Sequence, residues 1–177
     1  MKKYILDLKV VSVDFLSDKH VLLKLTDENP LPEMLPGQFV EVKVENSPTT
    51  MLRRPISINF VDRVRNELWL LVAMIGDGTR QLGKLKVGDT LNCVLPLGNG
   101  FSMPKKTGER YLLVGGGVGV APLLYFGQCL KDAGAEPIFL LGARKATDLL
   151  ELDAFAKVGR VCITTEDGSA GEQGFVT

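Results

Sequence analysis

Three short runs carry residue types that could do chemistry. Arg53-Arg54-Pro55-Ile56-Ser57-Ile58 sets two guanidinium groups at the head of an apolar run. The planar fork of an arginine matches the oxygens of a phosphate two at a time. Adjacent side chains on a strand point to opposite faces, so at least one of the pair needs a partner, either an anionic ligand or a structural carboxylate. Gly76-Asp77-Gly78-Thr79 offers backbone N–H groups and a hydroxyl where a short helix would begin. Taken alone, this tetrapeptide reads more simply as a hairpin turn with Thr79 as the helix N-cap. Gly115-Gly116-Gly117-Val118-Gly119-Val120-Ala121-Pro122 follows a buried apolar strand. Its glycines permit positive φ and a close approach of backbone to ligand, and the helix after them points free N–H groups and its positive dipole end at an anion. A pyrophosphate suits that end, although the run departs from G-x-G-x-x-G and could be a tight turn only. Pro122 falls in the first helical turn, where a missing N–H costs little.

The elements that must hold these runs fall into two kinds. From residue 4 to residue 97 the apolar period is two, as in Phe39-Val40-Glu41-Val42-Lys43-Val44-Glu45. That run and five others, Lys9–Phe15, Val21–Leu25, Arg54–Phe60, Glu67–Met74 and Leu91–Leu95, predict six antiparallel strands closing into a small barrel. Leu82 and Leu85 have the spacing of a short helix over Thr79–Lys86 that caps one end. The segment 96–108, rich in Gly, Pro and Lys, reads as a junction. Beyond it the order is strand Tyr111–Val114, helix Val118–Asp132, strand Pro137–Leu141, helix Thr147–Ala156, strand Arg160–Thr164. Strands alternating with helices mean a parallel sheet, and a glycine turn at the head of a βαβαβ run favours the nucleotide reading. The predicted organisation is a barrel domain over residues 1–100, a linker over 101–109 and an incomplete parallel α/β domain over 110–177.

Composition narrows the function classes. The chain of 177 residues carries 21 basic and 21 acidic side chains, which gives no charge bias of the kind that draws nucleic acid. Its three cysteines, Cys93, Cys129 and Cys162, lie far apart, so they form neither a disulfide framework nor a metal-binding pair, and a reducing cytoplasmic setting is expected. Tyr111 through Leu130 is uncharged and long enough to span a bilayer, yet five glycines and Pro122 fit a strand, a turn and a buried helix better. His20, the only histidine, follows Asp18-Lys19 at a predicted turn and reads as a surface residue.

Taken together, Arg54-Pro55-Ile56-Ser57, Gly78-Thr79, Pro96-Leu97-Gly98-Asn99 and Gly115–Pro122 resemble the ferredoxin–NADP reductase superfamily, most closely the electron-transfer subunits of B-type dihydroorotate dehydrogenases. The resemblance covers essentially the whole chain. It implies that the barrel binds FAD, with Arg54 on the pyrophosphate, Pro55 and Ile56 along the same strand, Ser57 near flavin N5, Leu71, Val72 and Ala73 lining the flavin, and Gly78 with Thr79 at the pyrophosphate. Ile56 stands where many members have tyrosine, so stacking gives way to apolar contact. By the same resemblance Gly115, Gly116, Gly117, Gly119 and Pro122 would take NAD. Electrons would come from a partner subunit that oxidises dihydroorotate with its own FMN, as a step of pyrimidine biosynthesis in a heterotetramer, and no side chain of this chain need act as acid or base.

The family's subunit is longer and supplies four cysteines for a [2Fe–2S] cluster, so residues 1–177 are expected to be a C-terminally truncated form that ligates no cluster and holds NAD weakly. Its α/β half should be the less stable one, mobile or paired with a second copy. Two other readings stand beside this one. In a flavoprotein subunit of an NADPH-linked sulfide dehydrogenase or hydrogenase, Arg144 would meet a 2′-phosphate, although Glu166 and Asp167 would repel it. The last alternative is an FAD-binding module without turnover.

Overall fold

The computed structural model describes residues 2–45, 47, 50–104 and 106–177. It divides into two compact units, Met1–Gly100 and Phe101–Thr177. Met1, Asn46, Pro48 and Thr49, assigned from the sequence to the barrel domain, and Lys105, assigned to the linker, lie outside the described residues.

The N-terminal unit is a closed barrel. Its strands are β1 (Tyr4–Ser17), β2 (His20–Thr26), β3 (Phe39–Val42), β4 (Arg54–Asp62), β5 (Glu67–Ala73) and β6 (Thr90–Leu97), with helix α1 (Asp77–Leu82) between β5 and β6. They close in the order β1-β2-β5-β4-β3-β6, and every neighbouring pair is antiparallel. Alternation puts Leu8, Val10, Leu23, Leu25, Val40, Ile58, Leu68, Leu70 and Leu95 into a dry core. The first strand is twice as long as its sequence pattern predicts. One half, Tyr4–Lys9, pairs with β6 and the other, from Lys9 onward, with β2. Register shifts after Val10 and after Phe15 bend it around the barrel corner and blur the period that would have revealed its full extent.

Helix α1 starts two residues before its predicted Thr79. Thr79 is not the N-cap: its Oγ1 accepts from the Gly76 N–H at 3.1 Å and donates to the Gly76 carbonyl at 3.1 Å, closing the first turn from inside the helix.

The C-terminal unit contains β7 (Arg110–Gly116), helix α2 (Ala121–Asp132), β8 (Glu136–Ala143), helix α3 (Leu152–Val158), β9 (Arg160–Thr165) and β10 (Glu172–Gln173). The sheet runs β10-β9-β8-β7, all parallel. The sequence predicts three strands and a bare edge at β9. The structure adds a fourth, because Thr165 Oγ1 donates to the Ala170 carbonyl and folds the loop so that Glu172 and Gln173 come alongside Thr164 and Thr165. Both predicted helices are shorter than expected. A 3-10 turn over Gly117–Val120 precedes α2, and another over Ala146–Asp148 is set off from α3 by Glu151, whose φ is +55°.

An aromatic pair sits among the buried aliphatic residues of this unit. Phe139 and Phe155 meet edge to face, ring centroids 4.8 Å apart, and Gly127 of α2 lies directly over Phe139. Phe101, placed by the sequence in the linker, stacks on Phe126 at 4.7 Å. The uncharged stretch from Tyr111 divides between β7 and the 12-residue α2, and among the described residues no helix is long and apolar enough to cross a membrane.

Candidate functional site

The two arginines separate into different jobs. Arg53 precedes β4 and spends its guanidinium inside the protein: Nη1 donates to the carbonyls of Glu41 (3.3 Å) and Asn92 (3.1 Å), and Nη2 to Asn92 Oδ1. Arg54, the first residue of β4, donates among the described residues to the carbonyl of its near neighbour Leu52, at 3.1 and 3.3 Å. Among the described residues neither arginine pairs with a carboxylate, but three acceptors on two neighbouring strands take up the Arg53 fork, while Arg54 meets a local carbonyl two residues away. Of the two, Arg54 is therefore the one suited to an anion.

Chain folding brings Arg54 to the Gly76–Thr79 turn. A Cβ placed on Gly78 would lie 3.4 Å from Arg54 Cδ and 3.0 Å from the methyl of Thr50, so the glycine backbone and the arginine stem already touch. Gly78 is buried, and a larger residue there would push Arg54 aside.

The strand ladder opens at the same place. β4 pairs with β3 from Arg54 to Ser57, but its ladder with β5 begins only at Ile58, opposite Leu70. Leu71, Val72 and Ala73 pair on their other side, with Leu22, Val21 and His20. Arg54–Ser57 and Leu71–Ala73 thus border a stretch where β4 and β5 are not paired, with Gly76–Thr79 just beyond it. Pro55, which has no N–H to give, lies in that stretch, and it is the one sequence signal that could have announced the opening. Ser57 is half-buried and Ile56 buried. Val72 shares the inward parity of Leu68 and Leu70, all at 1% exposure or less, so only its main chain can face a ligand.

In the C-terminal unit the glycines divide similarly. Gly115 is required by packing, since a Cβ there would meet Leu123 Cδ1 at 2.8 Å. Gly117 has φ +53° and makes the turn between strand and helix, with open space around it, as around Gly119. Gly116 ends β7, and a Cβ there would meet Val176 at 3.3 Å. Pro122 falls at the second position of α2. After β9, Glu166 and Asp167 donate their N–H groups to the carbonyls of Ala143 and Arg144. Hydrogen bonds from the Ser169 hydroxyl and N–H hold the Asp167 carboxyl below its ordinary range, so it is anionic at neutral pH.

Other titratable groups lie elsewhere. Cys93 is in the barrel core, with Cys129 on α2 and Cys162 on β9. Among the described residues no group of His, Cys, Asp and Glu is placed to hold a metal ion. His20 sits at the β1–β2 turn, its Nδ1 2.9 Å from Ser17 Oγ. Sequence reasoning missed Thr50, which touches the Gly78 turn, and Asn92, which holds Arg53; nothing in their local sequence marks them.

A closed antiparallel barrel followed by a glycine-led parallel α/β unit is the architecture of the ferredoxin reductase-like oxidoreductase components. An NADH-dependent reduced ferredoxin–NADP oxidoreductase, solved in a study of flavin-based electron bifurcation, matches with a TM-score of 0.83 and 29% identity, over 96% of this chain and 60% of that one. Phthalate dioxygenase reductase, described as a modular structure for electron transfer from pyridine nucleotides to [2Fe–2S], matches with a TM-score of 0.73 and 25% identity, over 93% of this chain and 52% of its own. No family model matches the chain. Among curated proteins, the electron transfer subunit of dihydroorotate dehydrogenase B (NAD(+)) from Shouchella clausii is 42% identical over 143 residues, 80% of this chain and 55% of that protein. Its counterpart from Listeria monocytogenes is 40% identical over 172 residues, 97% of this chain and 67% of that protein. The chain belongs to the family of dihydroorotate dehydrogenase B electron transfer subunits, and it spans between about half and two thirds of the length of these relatives.

Proposed function

We propose that this chain is an FAD-binding electron-transfer component that delivers electrons from a dihydroorotate-oxidising partner to NAD⁺. One observation carries the reading: the β4–β5 ladder opens between Arg54–Ser57 and Leu71–Ala73, with Arg54 against Gly78. The donor set fits a dinucleotide. Arg54 and the amides of the Gly76–Thr79 turn suit a pyrophosphate, and Ser57, three residues on and about 10 Å further along the strand, offers a hydroxyl to a ring at the other end. Ala73, half-buried, supplies apolar contact with Leu71 and Ile56 buried beside it, while Pro55 withholds an N–H. When bound, FAD supplies the hydride and single-electron chemistry, and the protein supplies placement and electrostatics.

Gly115, Gly116, Gly117, Gly119 and Pro122 would form the pyridine nucleotide turn. The anionic Asp167 favours NAD over a 2′-phosphorylated nucleotide by charge repulsion. The partner would carry FMN in a heterotetramer serving pyrimidine biosynthesis in the cytoplasm; a homodimer is the alternative assembly. The chain's three dispersed cysteines do not fit a [2Fe–2S] cluster, which in this reading draws its ligands from outside residues 1–177.

Fluorescence titration of the apoprotein with FAD tests the proposal. Arg54→Ala removes a charge-assisted contact of about 1.5–3 kcal/mol and should weaken FAD at least tenfold. Unchanged affinity would overturn the assignment.

A further inference from the structure

Arg53 lies beside the proposed anion-binding residue and turns its guanidinium to acceptors of the barrel itself. Its acceptors come from two strands that are neighbours of one another but distant in sequence: the Glu41 carbonyl of β3, and the carbonyl and side chain of Asn92 on β6. Asn92 is held in turn, its Nδ2 donating to Asp7 Oδ1 of β1 at 2.6 Å. Through this chain of contacts the head of β4 is tied across the barrel wall to three other strands.

We propose that Arg53 is the positioning residue of the Arg54 phosphate grip. This rests on the FAD reading above and adds to it a residue that touches no ligand. The segment 43–53 enters β4 from a connection whose last residues before Arg53, Met51 and Leu52, are exposed. Among the described residues Arg54 is tethered to the Leu52 carbonyl, inside that same segment. With no clamp at residue 53, the peptide from which Arg54 departs would be free to pivot on its ladder with Val42, and the guanidinium would leave the Gly78 turn. The clamp needs an arginine. The fork serves the two main-chain carbonyls from Nη1 and the side-chain oxygen from Nη2, whereas a lysine keeps the charge but carries its three donors on one nitrogen and loses that spread.

The test uses the full chain and two probes: FAD, and riboflavin, which has the ring but no phosphate. Arg53→Ala and Asn92→Ala are each expected to weaken FAD by about fivefold and to leave riboflavin unchanged. Arg53→Lys should not restore FAD affinity, and Arg53→Ala should add no further loss in an Arg54→Ala background. Asn92→Ala keeps both arginines, so it reads the clamp even where Arg53→Ala lowers the yield of folded protein. Restoration by lysine would mean that the charge of Arg53 acts on the phosphate directly. Equal losses for riboflavin would mean a general structural role, and additive losses an independent contact; each of these overturns the inference, as would an unaffected Asn92→Ala. If Arg54→Ala alone leaves FAD binding intact, the FAD reading itself fails, and the separate variant shows which of the two has fallen.

Discussion

Every strand of the barrel has a hydrogen-bonded neighbour on both sides, while the parallel sheet has, among the described residues, two edge strands, β7 and the two-residue β10. The difference extends to the faces. Barrel side chains that point inward meet one another across a closed core. In the α/β unit, α2 and α3 pack on the face of Phe139, and on the opposite face of β7 Leu112 and Val114 stay 64% and 43% exposed. A closed barrel can therefore open one stretch of ladder to make a binding slot and keep its core, because five other strand pairings hold the wall. The open sheet has no such reserve: the core under its two helices, Phe139 and Phe155 with Leu113, Leu124, Leu130 and Leu141, is packed on one face.

Phe139→Ala should break this comparison most visibly. It removes a fully buried ring packed edge to face on Phe155 and is expected to cost about 3–5 kcal/mol. Hydrogen exchange should show β7, β8 and β9 losing protection while the barrel strands keep theirs; joint loss in both units would show that they unfold as one. Gly127→Ala should be smaller in effect, about 1–3 kcal/mol, since the new methyl would run into Phe139 Cζ and force the ring to move. Wild-type-like exchange in this variant would mean that the cluster has slack.

The barrel has its own probe in Cys93. Burial pushes this thiol from 9.0 up to about 12, with nearby Arg53 lowering it slightly and Asp7 raising it. Because the folded pKa is the higher one, the stabilisation is complete below pH 9 and is lost as pH rises from 9 towards 12. The loss is about 1.4 kcal/mol per pH unit, since the unfolded chain releases the proton first. Urea unfolding followed by Trp69, the only tryptophan and a β5 residue, should show this slope in the native chain and a shallower one in Cys93→Ala. Equal slopes would rule out a buried neutral thiol. The smallest effect is expected from Leu112→Thr on the exposed face, within about 0.5 kcal/mol of the native chain. A larger loss, or a fall in mass by light scattering, would mean that this face is covered in solution by a second copy.

Much of the architecture was legible in the chain. Period-two alternation announced the barrel strands, and the change to strand–helix alternation after the Gly- and Pro-rich junction announced the parallel sheet, because both periods follow from backbone geometry alone. The strand β10 was not legible, since a two-residue pairing depends on a Thr165 hydroxyl folding a loop rather than on any apolar pattern. Nor was the first strand's full length, which two neighbours share across a bend.

At the candidate site the division is sharper. The sequence by itself determined the chemistry available: two adjacent guanidinium groups, a glycine-flanked Thr79 turn and a glycine-led helix, all set by residue type. Only the tertiary structure decided which arginine spends its fork across two neighbouring strands and which meets a carbonyl in its own segment. That choice depends on where Glu41 and Asn92 fall on the neighbouring strands, and on Gly78 meeting the stem of Arg54 from a different element. Contacts between residues tens of positions apart are set by strand register, which no local pattern encodes.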